Sequence, residues 1–366
     1  MSEIKVNSLK GLGASTSAIS INNSDGSCTA NITNNLSNRN KVINGSMICS
    51  QRANSFTATT DGTYTVDRFS HVVRGTFAGT YTHSTDAPNG FKNSLKVVPT
   101  STYTPTASDN AIISHKIEGQ NLQDLAFGTS SAKKITVSFY AKTGSTNNGD
   151  QFSFQLRAYT SADGNATKIQ TRSFTATSSW QRFSFSFVGD TAYTIINTNA
   201  LGMDCMWHLA AGASDIQAAI TSWTTSGSFT AVTGQSNFLD NTSNEFYLTG
   251  VQFEVDNTGS GVPTDFEHRS FSQELALCKR YFEKVMITSF DSKSNNNHTG
   301  GASAMFAVEK RANPTCTRIS NFYSFNSGGQ LTAHTITTYA ILATCTGGGN
   351  KSQQLLSSLF HAEVEL

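Results

Sequence analysis

The chain has 366 residues, of which 26 are Lys or Arg and 25 are Asp or Glu, so its formal net charge is only +1. No run of Lys or Arg is longer than a pair, which excludes the basic stripe that nucleic-acid binding requires. Ser, Thr and Asn make up about a third of the chain, a composition typical of strands and turns rather than helical bundles. No window approaches 18 consecutive apolar residues and the first residues lack a signal-peptide layout, so we expect neither membrane insertion nor export by a cleaved leader.

Residues 1–42 are predicted to form an extended N-terminal arm. The segment has almost no aromatic residues and is rich in Asn, Ser, Thr and Gly. Short alternations around Ile4 and Ile19 resemble single strands that have no partner sheet of their own. We therefore expect the arm to become ordered against another chain rather than to act as a flexible linker.

Residues 43–270 are predicted to form an antiparallel jelly roll or β-sandwich. Residues 135–141, 152–156 and 183–187 alternate apolar and polar side chains, as half-buried strands do. Clusters of Gly, Asn, Asp and Ser separate these runs and are typical of turns. Further strands are predicted at residues 64–69, 95–98, 115–117 and 246–254.

The last part of the chain is predicted to contain one helix and a small β-domain. Ser270 is suited to cap a helix, and Leu275, Cys278 and Tyr281 follow at spacings of three and four, which predicts an amphipathic helix over residues 272–285. This helix, in segment 271–285, would link the sandwich to a C-terminal β-domain of residues 286–366. Its strands are predicted at residues 304–308, 316–319, 335–343 and 362–366.

The six cysteines have no spacing typical of a zinc or CxxC site. They occupy positions 28, 49, 205, 278, 316 and 345. A disulfide-stapled secreted domain would carry them more densely, so we expect free, mostly buried thiols in a chain made in a reducing cytoplasm.

No residue set predicts an enzyme. The candidates for a pair of catalytic carboxylates are Glu254, Asp256, Asp265 and Glu267, but their sequence context favours surface turns. Cys205 lies near His208 in an apolar stretch that raises a thiol pKa, which favours buried packing over nucleophilic catalysis. The eight histidines form no zinc-binding pattern, and the metal content is not predicted.

Sugar binding fits the composition better, because aromatic rings pack on sugar faces while Asn, Asp and Gln bond to hydroxyl groups. Trp207 with His208, and Trp223, lie in loop-like stretches where such a site is expected. The alternative is that Trp180 and Trp207 fill the sandwich core. Trp223 has polar residues on both sides and is the least core-like of the three tryptophans.

A series of motifs over residues 44–285 resembles bacteriophage tail-fibre or tail-appendage proteins with a carbohydrate-binding-type jelly roll, and the opening Ser2-Glu3-Ile4-Lys5-Val6 is similar to fibre proteins of marine phages. The motifs that carry the resemblance are Asn-Gly-Ser-Met (44–47), Gln-Arg (51–52), Tyr-Thr-Val-Asp-Arg-Phe (64–69), Leu-Lys-Val (95–97), Lys-Ile-Glu-Gly (116–119), Val-Ser-Phe-Tyr-Ala-Lys (137–142), Trp-Gln-Arg (180–182), Phe-Tyr-Leu-Thr-Gly-Val-Gln-Phe-Glu (246–254), Phe-Glu-His-Arg (266–269) and Glu-Leu-Ala-Leu-Cys-Lys-Arg-Tyr-Phe (274–282).

The resemblance implies a non-enzymatic virion protein of the phage tail that is made in the host cytoplasm. It implies a homotrimer, attachment to other virion proteins through residues 1–42, and binding to a host cell-surface glycan. The alternatives are a purely structural virion adaptor or decoration protein and a polysaccharide depolymerase. Related jelly rolls hold a structural calcium, but no ligand residue is matched here. A buried ion pair between the Asp67-Arg68 and Phe266-Glu267 motifs is also predicted.

Overall fold

The structure is a computed structural model that describes residues 6–13, 17–30, 37–160, 167–257, 259–291, 298–325, 330–347 and 354–366. The regular structure in these residues is mostly β-strand in antiparallel sheets, which confirms the predicted fold class. None of the helices in these ranges is long and apolar enough to cross a membrane.

The N-terminal arm pairs with itself, contrary to the prediction that it has no partner sheet. Strands β1 (Ser8–Leu9), β2 (Ile19–Ile21) and β3 (Cys28–Ala30) form a three-stranded antiparallel sheet. Leu9 is 52% exposed, so this sheet has little core. Val42 at the end of the predicted arm is instead buried in the sandwich, and the neighbouring Lys41 N–H donates to the Phe253 carbonyl at 2.8 Å.

Two facing sheets form the sandwich. Its strands are β4 (Ser55–Ala58), β5 (Thr63–Tyr64), β6 (Phe69–Arg74), β7 (Gly79–Ser84), β8 (Ser94–Pro99), β9 (Asn110–Glu118), β10 (Lys134–Thr143), β11 (Gln151–Tyr159), β12 (Thr167–Thr175), β13 (Gln181–Phe187), β14 (Leu201–Ala211), β15 (Ile216–Gln217), β16 (Thr224–Thr225), β17 (Ala231–Val232) and β18 (Phe246–Asp256). Three 3-10 helices lie between them, at Gly119–Leu125, Ala213–Asp215 and Phe238–Asp240.

The six-stranded sheet has the order β13-β10-β18-β8-β7-β4, and the seven-stranded sheet has the order β16-β12-β11-β14-β9-β6-β5. Strands β15 and β17 form a separate parallel pair. Apolar side chains on the inner faces of both sheets form one core, in which Phe139, Phe154 and Trp207 are among the largest fully buried residues. Alternate residues of each strand therefore reach the outer faces.

Most predicted strands of the sandwich are confirmed, including residues 135–141, 152–156 and 183–187 within β10, β11 and β13. The predicted strand at 64–69 is wrong, because a hairpin turn occupies its middle. Arg68 has a positive φ of 72°, and the Phe69 N–H donates back to the Val66 carbonyl at 2.9 Å. A positive φ interrupts an extended strand.

The only α-helix among the described residues, α1 (Phe271–Lys279), is shorter than predicted. Ser270 caps it in a capping box with Gln273, as its position predicted. The predicted extension to residue 285 is wrong, because Phe282–Asp291 is strand β19. Val285 and Ile287 are buried while Met286 is exposed. This alternation of buried and exposed side chains, together with the β-branched residues, favours a strand over a helix here.

The described residues after α1, which include the predicted C-terminal β-domain, form two three-stranded antiparallel sheets, β19-β24-β21 and β20-β23-β22. Their remaining strands are β20 (His298–Met305), β21 (Thr315–Phe325), β22 (Gln330–Ile336), β23 (Ala340–Gly347) and β24 (Gln354–Glu363). The predicted strand at 335–343 is two strands, because a turn after Ile336 reverses the chain.

Buried ion pairs join the end of the chain to the sandwich. Arg68 is 1% exposed, pairs with Glu365, and lies over the Tyr281 ring at 3.5 Å from its centroid. The fully buried Glu118 accepts from Arg280 Nε at 3.0 Å and from Tyr281 Oη at 2.7 Å. Removing one partner of such a pair leaves an uncompensated buried charge.

The predicted pairing of Arg68 with the Phe266-Glu267 motif is wrong. Glu267 instead accepts from the backbone N–H of Asn40 at 2.7 Å and holds the chain where it enters the sandwich. Asn40 itself donates from Nδ2 to the Val251 carbonyl at 2.9 Å. The carboxylate therefore binds a loop backbone, and the guanidinium nearest to it is that of Arg269, at 4.0 Å, instead of Arg68.

Candidate functional site

Trp207 and His208, two residues predicted to bind a glycan, are neighbours in β14 and point to opposite faces of the seven-stranded sheet. The ring centroid of Trp207 lies 5.2 Å from that of Phe154, within the core, and the indole has no exposed surface. His208 also has no exposed surface, and its Nε2 lies 3.1 Å from Gln155 Oε1. The prediction of ligand contact is wrong for both residues, because no ligand reaches a fully buried side chain.

Trp223, the third predicted residue, is half-buried at the edge of the sandwich. Its ring meets that of Phe127 edge-on, with 5.7 Å between centroids, and its Nε1 donates to the Val188 carbonyl at 2.7 Å. The polar edge of the indole is therefore used within the chain, while part of the ring faces solvent. Trp223 stays a candidate for ligand contact.

A strap, defined as residues 213–236, covers the outer face of the seven-stranded sheet above His208. The Ser228 carbonyl accepts from Gln155 Nε2 at 3.1 Å and from an Arg157 guanidinium nitrogen at 2.6 Å. The Phe229 ring lies between two guanidinium groups, at 4.5 Å from that of Arg74 and 4.8 Å from that of Arg157. Gln155 and Arg157 of this face are consequently paired with the backbone of the strap.

The outer face of the six-stranded sheet carries a different group of side chains, which we term the Trp180 cluster. Its members are Asp86, Lys96, Lys142, Trp180, Glu245 and Tyr247. The Cα register pairs Lys142 with Tyr247 and Tyr247 with Lys96 across three strands, so the three side chains share one face. The neighbouring Phe246 is buried in the core, which turns Tyr247 outward. Trp180 lies immediately before β13, at the edge of the sheet.

Two rings and two ammonium groups form the centre of the Trp180 cluster. The Trp180 and Tyr247 rings meet edge-on with 6.0 Å between centroids. The Lys142 Nζ lies 4.6 Å from the Tyr247 centroid and 5.6 Å from the Trp180 centroid, and the Lys96 Nζ lies 5.2 Å from the Tyr247 centroid. These distances are typical of cation–π contacts, which orient the rings.

Two carboxylates complete the cluster. Asp86 accepts from Trp180 Nε1 at 3.0 Å and from Lys142 Nζ at 2.5 Å. Glu245 accepts from Lys96 Nζ at 2.5 Å and from Tyr247 Oη at 2.9 Å.

The pKa values of both carboxylates are lowered. Burial alone would raise the pKa of Asp86, but hydrogen bonds from Lys142 and Trp180 outweigh it. Burial likewise opposes the shift at Glu245, where hydrogen bonds from Lys96 and Tyr247 outweigh it. Two carboxylates therefore balance two ammonium groups at neutral pH.

Chemically, the Trp180 cluster offers a partly exposed apolar ring edged by hydrogen-bonding groups. The Asp86 side chain is 44% exposed and the Glu245 side chain is 32% exposed, so both reach solvent. A sugar ring has an apolar C–H face and an equatorial rim of hydroxyl groups that donate and accept. This combination of aromatic surface and polar groups suits such a ligand, and the balanced charge suits a neutral one.

A second aromatic group lies on the same outer face, one row along β10. Tyr140 packs against Phe91 with 5.3 Å between centroids, and Phe91 meets the Phe266 and His268 rings at 4.9 and 5.1 Å. Gly250 makes room for this contact, since its φ is +60° and a Cβ there would lie 2.8 Å from both Phe91 and Tyr140. The aromatic surface of this sheet is thus larger than the Trp180 cluster alone.

Sequence reasoning missed the Trp180 cluster because it treated Trp180 as a core residue. The available signal was the alternation in β10, where Lys142 is less buried than Ala141 and Thr143 on either side of it. Asp86 and Trp180 are 94 residues apart in the chain. Only the fold brings them together.

The residues considered for catalysis have structural roles in the described part of the chain. Glu254 accepts from the Thr264 N–H at 2.8 Å and from Thr264 Oγ1 at 2.6 Å, and Asp256 accepts from the Gly261 N–H at 2.7 Å. Burial raises the pKa of the Cys205 thiol, as its apolar context predicted. No group of three or more His, Cys, Asp or Glu side chains able to hold a metal ion occurs among the described residues, so no ligands are assigned to a structural calcium.

No family model matches the sequence, and no curated protein matches it. Similar solved structures include the enzymatically active domain of bacteriophage CBA120 tailspike protein 4, at 14% identity and a TM-score of 0.30. That alignment covers 59% of this chain but only 21% of the tailspike chain.

Carbohydrate-binding modules are also among the similar structures. A family 11 module from Clostridium thermocellum, in complex with a mixed-linked tetrasaccharide, has 12% identity and a TM-score of 0.29 over 58% of this chain and 98% of the module. A xylan-binding CBM22-1 domain from Paenibacillus barcinonensis has 12% identity and a TM-score of 0.27 over 55% of this chain and 92% of the domain. These low values identify no shared site.

Proposed function

We propose that this chain is a bacteriophage virion appendage protein that binds a cell-surface glycan at the Trp180 cluster. The observation that carries the proposal is the geometry of that cluster. The Trp180 indole is fixed by the hydrogen bond from its Nε1 to Asp86 and by Lys142, whose Nζ lies 5.6 Å from the ring centroid. Lys96 and Glu245 pair with each other beside the neighbouring Tyr247. A fixed ring loses little conformational entropy when a sugar packs on it.

The virion role rests on the motif resemblance over residues 44–285 to phage tail-fibre and tail-appendage proteins. In this role the chain is made in the host cytoplasm and becomes part of the phage tail. A homotrimer would present three glycan sites, so that individually weak contacts act together. Residues 1–42 would join the chain to its sister subunits or to other tail proteins. We expect no catalytic activity.

A purely structural adaptor or decoration protein is the alternative, and one observation favours it. The C-terminal β-domain exposes several large apolar side chains: Met286 56%, Met305 79%, Ile319 50%, Tyr339 56% and Leu342 39%. Exposed apolar side chains of this kind are common at protein contacts. Both roles are compatible with self-association, so glycan binding has to be measured directly.

The experiment is a glycan-array screen of the purified protein followed by titration of the oligosaccharide that binds. Trp180→Ala removes the apolar ring, and we expect it to weaken binding at least about 10-fold. Trp223→Ala tests the other half-exposed tryptophan. Tyr339→Ala is the matched control, because Tyr339 is an exposed aromatic residue in the C-terminal β-domain.

The pattern of losses separates the hypotheses. Loss on Trp180→Ala with binding retained by the other two variants supports the proposed site. Loss on Trp223→Ala alone would move the site to the other edge of the sandwich. Absence of binding to any glycan, with circular dichroism showing folded protein, would favour the structural adaptor.

A further inference from the structure

A groove of about 400 Å³ lies between helix α1 and the sandwich. Phe271 and Leu275 of α1 line it and are four residues apart, so they lie on the same face of the helix. The rest of the lining comes from residues 48–51, Asn54, His83, Lys279 and Lys284. A cavity of this size accommodates a small ligand or a short stretch of peptide.

The apolar part of the groove is open to solvent. Phe271 is 58% exposed, and Leu275 and Ile48 are half-buried. None of the three belongs to the apolar clusters that form the core of the described residues. An apolar side chain of a ligand that covers them removes apolar surface from water, which favours binding.

The polar part of the groove is positively charged. Of the described residues that line it, none is acidic, whereas Lys279 and Lys284 are basic. Lys279 shares the carboxylate of Glu283 with Lys310, at 3.6 and 2.7 Å, which leaves a net positive charge. The Lys284 Nζ donates to the Arg52 carbonyl at 3.3 Å and forms an ion pair with none of the described carboxylates. The groove therefore attracts an anionic ligand.

We propose that this groove binds a segment of a partner protein in which an aromatic or aliphatic side chain is next to Asp or Glu residues. The apolar side chain packs against Phe271 and Leu275, and the carboxylates pair with Lys279 and Lys284. The exposed amide of Asn54 favours a peptide over a simple organic acid, because it both donates to and accepts from backbone groups.

This site is separate from the proposed glycan site. None of the residues of the Trp180 cluster lines the groove, and the cluster lies on the outer face of the six-stranded sheet. A partner peptide and a glycan therefore bind independently, and either interaction can be absent without affecting the other.

The test is a screen of the purified, full-length protein against an array of random hexapeptides. The tightest binder is then labelled and titrated by fluorescence anisotropy. We expect the selected peptides to combine carboxylates with an aromatic or aliphatic residue. Phe271→Ala removes the apolar wall and Lys284→Glu reverses a charge of the groove, so each should weaken binding at least about 10-fold. Binding should also weaken as the salt concentration rises, because salt screens exposed charges.

Two variants outside the groove are matched controls. Lys92→Glu reverses the charge of another exposed lysine, and Tyr339→Ala removes another exposed aromatic ring. Both should bind the peptide as the wild type does. Circular dichroism checks that every variant is folded.

Three results would overturn the inference: an array on which no peptide binds, selected peptides that lack carboxylates, or wild-type affinity in either Phe271→Ala or Lys284→Glu. If a second copy of this chain fills the groove instead, no peptide binds and Phe271→Ala changes the oligomer measured by sedimentation. Glycan binding by the same variants is measured separately, and its absence leaves the peptide result unchanged.

Discussion

Three histidines, His71, His115 and His208, are buried with only one ring nitrogen paired. Their partners are Tyr81 Oη at 2.6 Å, the Ile43 carbonyl at 3.0 Å and Gln155 Oε1 at 3.1 Å. The second nitrogen of each ring has no hydrogen-bond partner. Burial, the largest cause in each case, lowers the pKa of His71 to about 4 and those of His115 and His208 to about 3. The folded protein therefore keeps all three rings neutral.

The free energy of unfolding is predicted to decrease as the pH falls below about 6.5. Above that pH the three histidines are neutral in both states, but below it only the unfolded chain takes up their protons, so stability falls as the pH falls towards 4. Asp204 acts in the opposite direction, since burial raises its pKa to about 6. Burial also raises the pKa values of Asp67 and Asp150, which oppose the loss in the same way, whereas burial lowers the pKa of His361 and adds to it. We expect the free energy of unfolding, measured by urea unfolding, to decrease as the pH falls from about 6.5, where the histidines of the unfolded chain begin to bind protons.

His208→Gln should make the free energy of unfolding depend less on pH. The substitution removes one side chain that binds a proton in the unfolded chain but not in the folded protein. His268→Gln is the control, since His268 is exposed. A pH dependence that is the same in wild type and His208→Gln would contradict the assignment.

At the residue scale, the sequence predicted the residue types that form strand faces and binding surfaces. It did not predict whether a given tryptophan lies in the core or on the surface. The Phe183, Phe185 and Phe187 alternation correctly indicated a strand with one apolar face. Trp207 and Trp180 were not distinguished, because the depth of a tryptophan depends on its strand's register against strands far away in sequence.

At the scale of elements, the strap is held to its sheet mainly by hydrogen bonds, and its strand β16 pairs with β12. Phe229 is its main apolar anchor and packs with Val72, Ile112 and Met206 on the outer face of the seven-stranded sheet. The remaining anchors are hydrogen bonds such as that from the Val232 N–H to Ser153 Oγ at 2.7 Å. Segments held in this way open separately from the rest of a fold.

Phe229→Ala is predicted to open the strap without unfolding the sandwich. The variant loses two cation–π contacts and the packing of the ring, which together stabilise closure by about 2 kcal/mol. Limited proteolysis should cleave within residues 213–236 at least about 10-fold faster than in wild type. Thr233→Ala, an exposed change in the same strap, should leave the rate unchanged. Equal cleavage of wild type and Phe229→Ala would show that the ring does not hold the strap.

The strand predictions are correct where the alternation of apolar and polar residues continues through a whole strand, and they are wrong where a turn interrupts that alternation. Residues 64–69 and 335–343 have strand-forming side chains on both sides of a reversal, and alternation alone does not reveal the turn. The predicted helix failed beyond Lys279 because Tyr281 and Val285 happen to fit a spacing of four while β-branched residues continue as strand.

At the scale of the whole molecule, the N-terminal arm differs most from the rest. Its strands pair with one another, yet Leu9 and Leu12 are 52% and 109% exposed, and a three-stranded sheet without a core is unstable alone. We still propose that another chain stabilises it. The sandwich begins where residues 39–42 are held by β18.

Deletion of residues 1–36 is predicted to leave a folded protein that has lost self-association or attachment to virions. We expect the sandwich to keep its core because the hydrogen bonds that join the chain to β18 and Glu267 in the described residues involve Asn40 and Lys41, which the deletion leaves in place. Sedimentation measures the oligomer, and circular dichroism at matched concentration checks the fold. An unchanged oligomer that still enters particles would mean that the arm is only a linker.

The most direct measurement is a crystal structure of the protein with the oligosaccharide selected by the glycan array. We predict a sugar ring packed on Trp180, with hydroxyl groups bonded to Asp86 or Glu245 and the core residues Trp207 and His208 uninvolved. A sugar bound at Trp223, beneath the strap, or on the C-terminal β-domain, with the Trp180 cluster unoccupied, would contradict the assignment of the glycan site.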